Sequence, residues 1–221
     1  MRHSVRASLV ESTAFSSPAH EERQSRPMLY DQLGNRKYLT ASERHAFMDA
    51  SRRASPEVET FCLTLAHTGA RISEVLALIP ARIDTSAQAI VIESLKKRMR
   101  GIYRAVPVPT ELLARLEQVH SISKAQTESQ LANRRIWKWG RTTAWLRVKE
   151  VMQDAGIGTA WSMPKALRHG FGVIGVADAG VPLNMMQKWL GHARIETTAI
   201  YANAIGREER TIAKRMWISD F

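Results

Sequence analysis

The chain has 221 residues, 44% of them hydrophobic, which is enough for one packed core, and its formal net charge is +11. That surplus of cations points to a polyanionic partner, nucleic acid before membrane, and no apolar run approaches the ~20 residues that span a bilayer. Cys62 is the single cysteine, so an intramolecular disulfide is excluded, and with no secretory-type apolar stretch at the N-terminus a reducing cytoplasmic setting is expected.

Residues 1–37 are rich in Ser, Arg and Glu and poor in large apolar groups. They cannot bury enough surface to offset the entropy of ordering, so a flexible basic and polar arm is expected there, with the folded domain over 38–221. Arg23, Arg26, Arg36 and Lys37 are either phosphate contacts or part of a solvated tail. Thr40-Ala-Ser-Glu43 is a capping box and predicts a helix from about 41 to 53. Ser55-Pro56 opens the next helix, with proline at the first helical position, where its missing N–H costs nothing. Val58, Phe61, Cys62, Leu65 and Ala66 recur at helical spacing as a core face, and Gly69 ends the run. A tight turn then launches Arg71 to Leu78, stopped by Pro80. The Arg71 fork can bond two phosphate oxygens at once, with Glu74 one turn on to hold it. Taken alone, the pair reads as a surface ion pair worth under ~1 kcal/mol; the later motifs turn the reading to a phosphate site.

Ala89 to Glu93 and Tyr103 to Val108 read as two strands around a basic hairpin tip, Leu95 to Gly101. Arg98, Arg100 and Arg104 read as phosphate contacts, with Lys97 as either a phosphate contact or a deeper-reaching group. Thr110 to His120 is an amphipathic helix, 121–133 reads as a polar loop, and Thr143 to Asp154 reads as a helix with Trp145, Val148 and Met152 on one face. Arg134, Arg135, Lys138 and Arg141, interleaved with Trp137 and Trp139, look like a DNA-facing segment, although such tryptophans are more often core than base-stacking platforms. From 94 to 149 there are thirteen Lys or Arg against three Asp or Glu, so the positive charge concentrates there.

Pro164 opens a helix that carries Lys165, Arg168 and His169, with Lys165 and Arg168 one turn apart on a shared face; Gly180 ends it. Pro182 starts a short helix with Leu183, Met186, Trp189 and Leu190 packing inward, Gly191 ends it, and His192 follows directly. Tyr201 comes nine residues later, and Arg207 to Trp217 forms a last amphipathic segment. No metal-ligand spacing and no Gly-rich phosphate loop accompanies these residues. A phenol beside fixed cations suits a tyrosine nucleophile attacking a phosphodiester, provided the site stabilises the charge that develops.

Thr68-Gly69-Ala70-Arg71-Ile72-Ser73-Glu74, the hairpin lysines, Lys165-Ala-Leu-Arg168-His169, Leu190-Gly191-His192 and Tyr201 together resemble the tyrosine recombinases, the lambda-integrase-like family, over roughly residues 38 to 217. Any one motif is weak; all of them in order at these separations are a strong signal. The resemblance implies a mainly α fold with a small antiparallel β-sheet, an α+β catalytic domain. It implies site-specific strand breakage and rejoining on double-stranded DNA, without cofactor or metal, through a 3′-phosphotyrosyl intermediate. Tyr201 would be the nucleophile, Arg71 and Arg168 the ligands of the non-bridging oxygens, His192 a further donor, and Lys96 (alternatively Lys97) the general acid. Where the family usually has histidine this chain has Lys165, which either accepts the tyrosine proton or is one more phosphate cation; His169 is expected to hold Arg168. The resemblance further implies a dimer on each site, a tetramer in the synapse, a terminal helix that docks on a neighbouring protomer or else closes its own core, and a nucleoid setting in a bacterial or mobile-element context. The family's usual N-terminal clamp domain has no counterpart in the short arm, as in the fimbrial phase-switch recombinases, so an accessory DNA-binding protein is a candidate partner. The competing readings are a DNA-binding module that does not cut and a nick-and-reseal enzyme of the topoisomerase type.

Overall fold

The computed structural model describes residues 29–95, 101–158, 162–203 and Lys214. Its first helix, α1 (Ala41–Ser51), starts on the expected capping box: Thr40 Oγ1 accepts from the Glu43 N–H at 3.3 Å and the Glu43 carboxylate accepts from the Thr40 N–H at 2.8 Å. Pro56 opens α2 (Pro56–Thr68), which is buried over nearly its whole length. Gly69 closes α2 at φ +59°, and a Cβ there would lie 2.6 Å from the Phe171 ring, so both the left-handed turn and the close approach require glycine. The chain then enters the short helix α3 (Ile72–Leu76), a 3-10 turn at Pro80–Arg82, and a three-stranded antiparallel sheet.

That sheet has the order β1 (Ile83–Asp84), β2 (Ala89–Glu93), β3 (Tyr103–Pro107). Ile90 pairs with Val106 and Ile92 with Arg104, and β3 alternates strictly, with Arg104 and Val106 turned inward. The third strand, β1, is an addition to the two expected; two residues are too few for a periodicity to register. Helices α4 (Thr110–His120), α5 (Ile122–Thr127) and α6 (Ser129–Ala132) follow, the latter two in the stretch that reads as a loop. Long-range anchors stabilise α5: Ile122 is buried, and the Gln126 side-chain amide donates to the carbonyls of Pro80 and Ile83, both at 2.8 Å. The last helices are α7 (Arg141–Asp154), α8 (Pro164–Val173), which runs on into a π-helical turn at Ile174–Asp178, α9 (Leu183–Leu190) and α10 (Glu196–Ala199), with a 3-10 turn at Ile200–Asn203.

The main core gathers Phe61, Leu65, Ile90, Val106, Leu116, Val148 and Leu167 around α2. Trp137 is fully buried in it, edge-on to Phe61 at 5.2 Å, with its Nε1–H donating to the Glu57 carbonyl at 3.0 Å. A second cluster joins Leu29, Val173, Ala177, Met186, Leu190 and Tyr201. Trp145 departs from expectation: α7 buries Ala144, Val148, Val151 and Met152, and Trp145, at the edge of that face, is 41% exposed. Residues 29–37 also differ from the expected loose arm. Leu29 is buried, Lys37 N–H donates to the Leu29 carbonyl at 2.8 Å, and Arg36 forms a two-pronged pair with Glu43 instead of reaching outward. Among the described residues no helix is long and apolar enough to cross a membrane.

Candidate active site

The N-terminus of α3, the start of α8 and the α9–Tyr201 segment meet at a cavity of about 500 Å³. Arg71, Lys165, Arg168, His169, His192 and Tyr201 all line it, with Arg141 and Trp145 at its edge. Arg71 caps α3. Its backbone N–H donates to Glu74 Oε2 at 3.0 Å and its Nη1 to Glu74 Oε1 at 2.8 Å, so one carboxylate grips both ends of the residue. The Glu74 side chain is 1% exposed and that of Arg71 37%, which leaves the guanidinium facing the opening. Burial pushes the Glu74 carboxyl up, but Arg104 and Arg71 pull it the other way and win, so it stays below the ordinary carboxylate range.

Arg168 is buried on α8 and spans two helix C-termini. Nη1 donates to the carbonyl of Gly69, the cap of α2, at 2.8 Å, and Nη2 to that of Leu190, the last residue of α9, at 2.6 Å. Helix ends carry unsatisfied carbonyls and the negative pole of the dipole, so the site suits a cation. Two of the five guanidinium N–H groups are used in this way, and the side chain lines the cavity. Burial lowers the Arg168 guanidinium to about 10, with Arg71 adding to the drop and Tyr201 and Glu74 opposing it.

His192 is delivered by the left-handed cap of α9: Gly191 has φ +64°, the His192 N–H donates to the Gln187 carbonyl at 3.1 Å, and the imidazole Nδ1 sits 2.9 Å from Thr198 Oγ1. Its ring stacks on that of Tyr201, with centroids 6.2 Å apart and planes 20° from parallel. Tyr201 is only 1% exposed, and its Oη lies 3.2 Å from Nδ1 of His169. Burial pushes the phenol up to about 12, against the pull of Arg168 and Arg71. The expectation that His169 holds Arg168 is corrected here: the backbone carbonyls of Gly69 and Leu190 hold Arg168 instead, and His169 contacts the phenol. A signal for this lies in the spacing. His169 and Gly172 share a face of α8, and Gly172 is flush with the phenol ring: a Cβ there would come within 2.5 Å of it.

Arg104 is the clear correction among the residues that read as DNA contacts. It is 5% exposed, and it donates to Glu74 Oε2 at 2.6 Å, to the Trp189 carbonyl at 2.7 Å and to Ser94 Oγ at 3.2 Å. The inward position in β3 turns it into the interior, where it ties the sheet to α3 and α9. Arg134, Arg135, Lys138 and Arg141 are exposed. Trp137 and Trp139 pack on Phe61 and belong to the core. Lys96, Lys97, Arg98 and Arg100, and the segment Arg207 to Trp217 apart from Lys214, lie outside the described residues. Among the described residues no cluster of three or more His, Cys, Asp or Glu is arranged to hold a metal ion.

A model of the phage integrase family matches residues 37–206, a span that includes every site residue discussed above. The chain belongs to the phage integrase family. The tyrosine recombinase XerC of Roseiflexus castenholzii is 31% identical over 144 residues, 62% of this chain and 44% of that protein. The type 1 fimbriae regulatory protein FimE of Escherichia coli K12 is 28% identical over 173 residues, 76% of this chain and 86% of that protein. The chain thus spans less than half the length of the curated Xer relatives it matches and most of the length of FimE. The XerH recombinase bound to its difH substrate superposes with a TM-score of 0.64 at 17% identity, over 85% of this chain and 59% of that one. The catalytic domain of bacteriophage HP1 integrase gives 0.58 at 19%, over 82% and 96%. These superpositions establish the helix-rich fold with its small antiparallel sheet as the integrase catalytic-domain fold.

Proposed function

We propose that the chain is a site-specific DNA recombinase, with the catalytic domain beginning near residue 38, that cuts and rejoins strands through Tyr201. One observation carries the reading: a single cavity gathers a phenol, three arginines, a lysine and two imidazoles, with Lys165, Arg168 and His169 from α8 and Arg71, Arg141, His192 and Tyr201 from other parts of the chain. Arg71 and Arg168 bind the non-bridging oxygens of the scissile phosphate, and His192 adds a donor. Tyr201 Oη attacks phosphorus, the Oη–P bond forms, the P–O5′ bond breaks, and a 3′-phosphotyrosyl link holds the strand. Lys96, or Lys97 beside it in the sequence, gives a proton to the departing 5′ oxygen, and Lys165 adds positive charge at the cavity. The link conserves the phosphodiester bond, so a 5′ hydroxyl from a second duplex reverses the step. Exchange between two duplexes cuts four strands with one tyrosine each, which calls for two copies on each site and four in the synapse. Each phosphate donor contributes roughly 10²- to 10³-fold in rate. A module that only binds DNA has no use for the phenol. Arg134, Arg135 and Lys138 follow the DNA backbone outside the cavity, and Arg141 meets it at the cavity itself. The DNA-bound structure of XerH and the phage integrase family match support the choice of DNA as substrate.

The test is a trapped intermediate. Nicked suicide duplexes from the chain's own genomic flanks are incubated with the protein without divalent metal and run on denaturing gels. A covalent protein–DNA adduct that disappears in Tyr201→Phe is the expected result. Retarded DNA in native gels with no adduct on any duplex, or an adduct that survives Tyr201→Phe, overturns the reading.

A further inference from the structure

Tyr201 has to lose a proton as it attacks. Burial holds the phenol protonated well past neutral pH, so the proton needs an acceptor within reach in the same step. The cavity offers few. Arg71 and Arg168 are guanidinium groups without a lone pair to give, and the side-chain hydrogen bond of the phenol oxygen goes to His169 and not to Lys165. His192 turns its Nδ1 to Thr198 Oγ1 and lays its ring face against Tyr201. His169 is different: it is buried on α8, and its Nδ1 is 3.2 Å from the phenol oxygen, with the two rings 5.9 Å apart and tilted by 58°.

We infer that His169, in its Nε2–H tautomer, accepts the Tyr201 proton at Nδ1 during strand cleavage and returns it during rejoining; this rests on the recombinase reading above. As the Oη–P bond forms and the P–O5′ bond breaks, the phenolic proton passes to Nδ1, and the 5′ oxygen takes its proton from the general acid on its own side of the phosphorus. On rejoining, every transfer reverses and Tyr201 leaves as a neutral phenol.

The surroundings suit the role. His169 is faced by Lys165 and Arg168 from its own helix, by Lys37 from the segment ahead of α1, and by Tyr201; Tyr201 in turn faces Arg168, Arg71, His192 and His169. Burial lowers the His169 imidazole to about 4, with the three cations adding to the effect, so it is neutral and able to accept at physiological pH. A phosphodiester in the cavity brings a negative charge that opposes those cations and raises the basicity of the ring once substrate is seated. The motif position usually held by histidine is Lys165 here, and a nearby imidazole is the group in contact with the phenol.

The decisive variant is His169→Asn, whose amide sits near the place of Nδ1 and keeps a hydrogen bond to Oη but cannot take the proton. Single-turnover adduct formation is measured against pH on the nicked duplexes. The wild type is expected to be flat between about pH 6 and about 8, and His169→Asn to be slower by on the order of 10²-fold or more, with a logarithmic slope near one as solvent base takes over. Unchanged rate and profile in His169→Asn overturn the inference, as does a slope of one that appears in Lys165→Ala instead. A second measurement needs neither DNA nor a variant: the ¹⁵N spectrum of histidine-labelled protein near neutral pH. Nδ1 of His169 as the unprotonated, hydrogen-bonded nitrogen supports the assignment, and a proton-bearing Nδ1 overturns it. A wild type that forms no adduct on any duplex removes the recombinase reading itself, while the nitrogen spectrum still decides which atom carries the proton.

Discussion

Arg104 and Glu74 form a buried ion pair at 2.6 Å between β3 and α3, with side chains 4% and 1% exposed. The pair organises the cavity without facing it. Glu74 passes its other oxygen to Arg71, and Arg104 passes its Nε–H to the Trp189 carbonyl, two residues before Gly191 and three before His192. Gly191 leaves the room: a Cβ there would lie 3.0 Å from Arg104 Nη1. The sheet therefore sets the positions of an arginine on one side of the site and a histidine on the other.

Arg104→Met strands the Glu74 carboxylate in the interior. Removing one partner of a buried pair costs roughly 3–5 kcal/mol, so the urea midpoint should fall sharply. Combining Arg104→Met with Glu74→Leu removes both charges, and most of the stability should return. Adduct formation should stay depressed in the double variant, because Arg71 has lost the carboxylate that aims it. If the double variant recovers both, Glu74 is only a folding element.

Gly172→Ala should reverse the usual sign of a helix glycine replacement. Alanine is favoured over glycine in a helix by about 1 kcal/mol, yet its Cβ would press on Tyr201 at 2.5 Å, and such overpacking costs roughly 1–3 kcal/mol. Thermal melts should show a net loss in the wild-type background and a net gain beside Tyr201→Ala, where the ring is gone. The same sign in both backgrounds would separate Gly172 from Tyr201.

Local chemistry makes much of this architecture readable in the sequence. Thr40 and Glu43, Pro56, Gly69, Pro164 and Gly191 start or stop helices through interactions within a few residues, and each does so in the structure. The interactions that complete the site are not local. Arg104 meets Glu74 across 30 positions and His169 meets Tyr201 across 32. A basic hairpin read by charge alone puts Arg104 outside with its neighbours; the two-residue alternation of β3 puts it inside. Trp145 reads as core because it is large and apolar, but a position at the edge of a helix face follows the neighbouring cavity as readily as the core. Leu29 and Gln126 matter through partners that no periodicity announces.

Acid should loosen the fold before it titrates the carboxylates. His67 and His169 are both lowered to about 4, His67 by burial with Arg44 and Arg52 adding to it, against about 6.5 in an unfolded chain. Between those values the unfolded state binds the extra protons, so stability is full above about pH 6.5 and is lost as pH falls toward about 4, by on the order of 2–3 kcal/mol for each group. Urea midpoints recorded from neutral pH downward should fall in this window, and His169→Asn should flatten part of the slope. A midpoint that holds constant to pH 5 would mean that neither imidazole is as sheltered as its surroundings imply.

The exposed cations should act on DNA through charge alone, and Arg104 should not. Removing one cation that neutralises a phosphate lowers the slope of log affinity against log salt by about 0.9. Replacing Arg134, Arg135, Lys138 and Arg141 together by alanine should therefore flatten that slope by up to about three to four, weaken binding to all duplexes alike, and leave the melting temperature nearly unchanged, since these side chains are exposed. Arg104→Met makes the contrast. Its guanidinium is committed to Glu74, Trp189 and Ser94, so the folded fraction of that variant should keep the wild-type salt slope while losing adduct formation. Fluorescence anisotropy with one labelled duplex across a salt series measures the slopes, and the denaturing gels measure the adduct. A reduced slope in Arg104→Met would return that residue to the DNA surface, and an unchanged slope in the fourfold variant would move the backbone track away from the segment between α6 and the start of α7.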